Sequence, residues 1–161
     1  MAIDAFLKLD GIKGESVDKA HKEEIEVLSW SWGMSQTGTT HRGTGGGAGK
    51  VSVQDLSIVK YVDRASPVLI QTCCTGKHIE EAVLSVRKAG GEPLDYLVLT
   101  LNDVLISSVS SGGSTGDELV TETISLNFAR FNVSYQPQDA KGGKAGGAIE
   151  AGFNIATNEA A

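Results

Sequence analysis

The sequence predicts a mainly β protein: a closed β-barrel, or two-sheet barrel, of about eight strands with one short flanking α-helix. Three observations predict it. Apolar and polar residues alternate with a period of two along most of the chain, as half-buried strands require. Several of these runs change parity internally, and long strands that bend and switch faces let two sheets close on each other. Only one stretch carries both a helix start and a helix stop. The 161 residues suit one domain, 1–161, able to bury roughly 70% of its unfolded surface. No repeat or linker divides them.

Residues 5–9 read as a short strand with Ala5, Leu7 and Leu9 on one face. Residues 10–24 are polar, contain Gly11 and Gly14, and read as a long connection. In residues 25–35 (IEVLSWSWGMS), Ile25 and Val27 hold odd positions, while Leu28, Trp30, Trp32 and Met34 hold even ones. A bulge near Val27 and Leu28 reconciles the halves. Both tryptophans then face a core, with Ser29, Ser31 and Gly33 on the opposite face. Residues 37–50 hold six Gly and four Thr, and a loop of that length inside a compact domain is usually functional or disordered.

Residues 51–62 form another strand with a parity change, from Val51 and Val53 to Leu56 and Ile58. The helix follows over about Ser66–Thr75. Ser66 is placed as its N-cap, Pro67 at its first position and Gly76 as its left-handed stop. Leu69 with Cys73, and Ile70 with Cys74, share faces at i,i+4, so the adjacent cysteines are expected as small buried hydrophobes. Their Cα atoms lie ~3.8 Å apart, too close for an unstrained mutual disulfide. Strands follow at 79–87, at 97–106 with an interruption at Asn102 and Asp103, and at 119–135 with a bend near Ala129 and Arg130. A second Gly/Lys loop spans 139–147, and 149–155 close the fold.

Fourteen Lys and Arg against twenty Asp and Glu give a net charge of −6 and a pI near 5.0. This disfavours a nucleic-acid partner. No run approaches the ~18 apolar residues of a membrane span. The amino terminus lacks a basic segment followed by an apolar one, so synthesis and folding in the cytoplasm are expected. Gly49-Lys50 lacks the rest of a phosphate loop, with Thr44 and Val51 at its other positions. Gly43, Gly45 and Ala48 meet a loose dinucleotide pattern, but a strand follows where a helix is needed. His21, His41 and His78 show no ligand spacing, so no metal is expected. No nucleophile elbow occurs, and adjacent acids such as Glu23-Glu24 point opposite ways in a strand. The reading is no enzyme and no cofactor.

Taken together, HKEEIEVLSWSWG, the Gly/Thr loop, KVSVQDLSIVKYVDRASPVLIQTCCTGKH, AVLSVRKAGG, LVLTLNDVLISSVSSGG and LVTETISLNFARFNVSYQPQ resemble the Hcp family, the tube proteins of bacterial type VI secretion. The resemblance implies a barrel with a flanking helix, six copies to a ring with an open channel. It implies rings stacked into a tube inside a sheath, assembled on a baseplate and capped by the spike protein VgrG. It implies a protein assembled in the cytoplasm and then secreted without a signal peptide, carrying small effectors in its channel.

Within that expectation Ser29 and Ser31 are candidates for the channel lining. Thr37, Thr39, Thr40, His41, Arg42, Gly43, Gly45, Gly46, Gly47, Gly49 and Lys50 are candidates for contacts between stacked rings. The other reading is a monomeric β-sandwich that binds a glycan or peptide. Its signature, exposed aromatics on a concave face, fits poorly with 6% aromatic residues.

Overall fold

A computed structural model describes residues 2–38, 50–88 and 93–161. The chain runs through β1 (Ile3–Leu9), β2 (Ile25–Val27), β3 (Ser29–Ser31), β4 (Met34–Ser35), β5 (Ser52–Val53), β6 (Leu56–Tyr61), α1 (Ser66–Thr75), β7 (His78–Lys88), β8 (Asp95–Gly112), β9 (Thr121–Tyr135), β10 (Ile149–Asn154) and β11 (Glu159–Ala160). The architecture is mainly β with one helix, as the alternation predicts. The ladders outnumber the eight expected strands because the parity changes cut the predicted runs. Residues 25–35 become β2, β3 and β4, and residues 51–62 become β5 and β6.

The long β8–β9 hairpin organises the rest. Its open end pairs with β7 on one side and β10 on the other, while its turn end pairs with β6 through the first half of β9. Both strands change face at one level. Asp103 sits at φ 54° between buried Leu101 and Val104, and in β9 two residues separate buried Phe128 from buried Phe131. The bend predicted near Ala129 and Arg130 is therefore where one hairpin passes from one sheet region to the other. One region is β2-β1-β7-β8-β9-β10-β11 and the second is β3-β6-β9-β8.

On the opposite side the same transfer happens at a single residue. Val27 pairs with Ala5 of β1, Ser29 pairs with Val59 of β6, and the Leu28 N–H donates to the Val59 carbonyl at 2.8 Å. Leu28 is the extra residue, and it points outward at 49% exposure. It does not join Trp30 and Trp32 inside, because the chain changes ladder partner there. Met34, expected on the same inner face, is exposed as well, in the small β4–β5 hairpin. Among the described residues the ladder does not close into a ring. The covalent chain at Leu28 spans the break, so the barrel takes its two-sheet form.

The core between the regions holds Leu56, Ile58, Leu84, Leu101, Ile124 and Leu126, all fully or almost fully buried. Each contributes roughly 1.5–3 kcal/mol by leaving water. At the β10 side Trp32 meets Phe131 edge-on at 5.0 Å, and Phe131 continues the cluster to Phe128 and Phe153.

Helix α1 packs its buried Leu69, with the preceding Ala65, against that core. Gly76 ends it in the left-handed conformation with its N–H on the Cys73 carbonyl, as predicted. Two expectations fail. Ser66 is not the cap: Ala65 holds that position, so Ser66 is the first helical residue and Pro67 the second, not the first, and the Ser66 hydroxyl turns into a buried polar network. Cys74 is exposed and Cys73 only half-buried, because the helix buries the stripe of Ser66, Leu69 and Thr72 instead.

Candidate functional site

The second sheet region has two contrasting faces. Leu56, Ile58 and Lys60 of β6, and Glu122, Ile124 and Leu126 of β9, point inward and are buried. Alternation sends Ser57, Val59, Thr123 and Ser125 outward. The registers join these into rows across the sheet. Ser31 lies opposite Ser57, Ser57 opposite Ser125, and Ser125 opposite Ser108. The next row runs Ser29, Val59, Thr123 and Ser110. Ser29, Ser31, Ser108 and Ser110 are exposed. Two four-strand rows therefore present hydroxyls and one valine, with no charge in either row. Asp55, next to Leu56 of β6, accepts hydrogen bonds from Ser107 Oγ at 2.7 Å and Asn127 Nδ2 at 2.9 Å.

A hydroxyl both donates and accepts and rotates to suit its partner. A wall built of them offers adaptable weak contacts and fixes no ligand in one pose. It carries no general acid, no base and no nucleophile paired with a base. Sequence reasoning found Ser29 and Ser31 but missed Ser57, Ser108, Ser110, Thr123 and Ser125. Alternation in TETIS shows that Thr121, Thr123 and Ser125 share a face; only the register shows that this face continues Ser29 and Ser31.

Directly behind the wall lies a charged network. Lys60 and Glu122, opposite each other in register, are both buried and ion-paired. The Lys60 Nζ also donates to Asp63 Oδ1 at 2.9 Å and to the Tyr61 carbonyl at 2.8 Å. Ser66 donates its hydroxyl to Glu122 and accepts the Asp63 N–H at 2.9 Å.

A second titratable cluster holds residues 10–24 against the outer face of β1. His21 stacks on Phe6 at 4.5 Å and 12°, and Arg87 lies over the same ring at 5.0 Å. Both His21 ring nitrogens face carboxylates, Nδ1 toward Glu24 and Nε2 toward Asp95, each at 3.0 Å. The Arg87 guanidinium forks onto Asp18. That hydrogen bond holds the Asp18 carboxyl below its ordinary value and raises Arg87 above its own. The cluster is consumed by its own contacts and leaves no open coordination position. Among the described residues no group of His, Cys, Asp and Glu gathers as a metal site.

Of the loop candidates, Thr37 and Lys50 are exposed beyond the β4–β5 hairpin. Thr39, Thr40, His41, Arg42, Gly43, Gly45, Gly46, Gly47 and Gly49 lie outside the described residues. Among the described residues no helix is long and apolar enough to cross a membrane.

The described residues thus build a two-sheet barrel with one broad uncharged wall. The pattern of the family described as "Type VI secretion system effector, Hcp" matches residues 6–135, and the chain belongs to that family. It is similar to Protein hcp1 of Pseudomonas aeruginosa, with 56% identity over 98% of each chain. It is also similar to the crystal structure of Hcp1 from Salmonella typhimurium, at 45% identity and TM-score 0.84 over 100% of both chains. A solved structure described as a type six secretion system protein matches at 33% identity and TM-score 0.93, over 99% of this chain and 100% of that one. The chain is thus a component of type VI secretion.

Proposed function

We propose that this chain is the repeating subunit of the secretion tube. Six copies form a ring, rings stack, and the hydroxyl wall lines the channel. The observation that carries this reading is the wall itself: a sheet face that is wide, uncharged and free of large apolar side chains apart from its Val59 row position, backed by a rigid core. Such a face lets protein cargo of either charge pass or rest without trapping it. Small secreted effectors are the cargo, and VgrG, the sheath and the baseplate are the partners. The protein assembles in the cytoplasm and leaves with the tube, as a carrier and not an enzyme. Residues 37–50, the stretch between β4 and β5, supply the contacts to the next ring.

Negative-stain microscopy and effector co-purification test this together. Wild type should give rings and short stacks. Shortening 43–49 to a tight turn should keep rings and abolish stacks. Ser31→Gln should keep rings and lower effector retention on the order of tenfold, which corresponds to about 1.4 kcal/mol. Protein that stays monomeric at every concentration returns the chain to the monomeric binding-module reading, and equal retention removes Ser31 from the wall's function.

A further inference from the structure

Residues 13–24 form a strap across the outer face of the first sheet region. On that face Phe6 of β1 lies opposite Ser85 of β7, and both are buried, as are Ser16 and His21 of the strap. The strap's backbone bonds to itself. Gly14 donates its N–H to the Glu23 carbonyl at 2.8 Å, Ser16 to Glu24 at 3.0 Å and Glu23 to Ser16 at 2.8 Å. Among the described residues its hydrogen bonds to β7 and β8 come from side chains alone: Asp18 with Arg87, and His21 with Asp95 at the start of β8.

His21 has a carboxylate on each side. Its Nδ1 lies 3.1 and 3.0 Å from the two Glu24 oxygens, and its Nε2 lies 3.1 and 3.0 Å from the two Asp95 oxygens. An ionised carboxylate only accepts hydrogen bonds, whereas a neutral imidazole has one N–H and one lone pair. A neutral ring would therefore aim its lone pair at a carboxylate, and a ring with two N–H groups satisfies both sides. The other charged groups around it are of two kinds. Arg87 lies over the Phe6 ring on which His21 stacks, with Asp18 and Asp4 at its guanidinium and Glu26 opposite Phe6 in register. Lys144 shares a hollow with Asp95 and Arg87, while Lys8, Lys13, Lys19, Lys22, Asp10 and Glu23 share another with Glu24. Carboxylates, ammonium groups and guanidinium groups ordinarily keep their charge across the range in which an imidazole gives up its proton.

We infer that residues 13–24 are a proton-operated latch on the outer sheet face. With a proton on both ring nitrogens, His21 bridges Glu24 and Asp95 and fastens the strap to β8. As pH rises one proton passes to solvent, a donor becomes a lone pair facing a carboxylate, and the strap lifts from Phe6 and Ser85 while the sheet beneath stays folded. The His21 attachment is thus complete at the lower pH and lost as pH rises. The Asp18–Arg87 tie has the opposite sense, since it is lost only when acid protonates Asp18. The device belongs to the single chain and holds whether or not copies assemble.

Hydrogen exchange of the full-length chain tests it, with rates corrected for the intrinsic pH dependence of exchange, between about pH 6 and about pH 9. Protection of residues 13–24 should fall on the order of tenfold over that span, as expected for the loss of a charge-assisted hydrogen bond. Protection of the β8–β9 hairpin should stay unchanged, and the His21 ring nitrogen shifts should show two N–H groups at the lower pH. Asp95→Asn distinguishes a latch from packing. Its side-chain amide N–H can donate to a bare Nε2 while the Nδ1–H donates to Glu24, so the neutral ring is satisfied and the strap should stay protected throughout. His21→Gln should leave the strap weakly protected at both ends. A wild-type strap whose protection ignores pH, a ring with a single N–H at the lower pH, or an Asp95→Asn strap that opens as wild type does overturns the latch. A loss shared equally by β8 and β9 overturns it too, because the opening is then global.

Discussion

At the scale of single residues, the Asp18–Arg87 fork ties the 10–24 connection to the sheet, and it makes that tie sensitive to acid. Asp18 is held below its ordinary value near 3.8, chiefly by its hydrogen bond to Arg87. A carboxylate whose folded value is depressed stabilises the fold above its unfolded value, and that stabilisation disappears as pH falls through the folded one. Asp18→Asn keeps the carbonyl oxygen that accepts the Ala20 and His21 N–H groups and removes only the charge. The variant should therefore be less stable than wild type at pH 6, with the gap shrinking as pH falls below the ordinary carboxylate range and closing once it has passed below the folded-state value. Urea unfolding across that range measures it, and a gap independent of pH would assign the loss to something other than the ion pair. None of this cluster was legible beforehand. His21 read as a loop histidine because its partner Asp95 lies 74 positions away, and local patterning reports a face, never a distant partner.

At the scale of elements, helix α1 is fastened less by its own sequence than by the charges beneath it. It has no acid in its first turn and no base in its last. Ser66 and Asp63 reach the Lys60–Glu122 pair instead, joining the helix start to β6 and β9. This was half legible. Position 60 continues the inward parity of Leu56 and Ile58, and position 122 that of Ile124 and Leu126, so alternation carries both charges inward although neither was singled out. What the pattern lacks is the register that sets them opposite each other. Removing one partner strands the other charge in the core, which costs about 3–5 kcal/mol, whereas replacing both by apolar residues of similar volume is often neutral. Lys60→Met should therefore lose about 3–5 kcal/mol in urea unfolding, and Lys60→Met with Glu122→Met should recover most of it. A double variant as unstable as the single one would mean that the pair itself, and not the stranded charge, sets the cost.

At the scale of the whole molecule, strand content, helix position and the parity changes were legible because each is a local consequence of which side chains must leave water. The wall was not, because it is assembled from four strands and exists only once their registers are set. Apolar exposure bears on stability as well: Ile3, Val17, Leu28, Val62, Leu119 and Ile149 are each at least 47% exposed in the single chain, so on the tube reading proposed above part of the apolar burial that favours folding is deferred to contact with other copies. Association that requires the folded state stabilises it by mass action. For six subunits unfolding together, each tenfold rise in concentration should add about five-sixths of 1.4 kcal/mol per subunit, or about 1.2 kcal/mol. Between about 1 µM and about 100 µM the gain is then about 2.3 kcal/mol, and with a urea dependence of about 1–3 kcal/mol per molar the midpoint should rise by roughly 1–2 M. A wild-type midpoint that does not move with concentration would mean that each chain is stable by itself and that its exposed apolar surfaces contribute nothing to holding it folded.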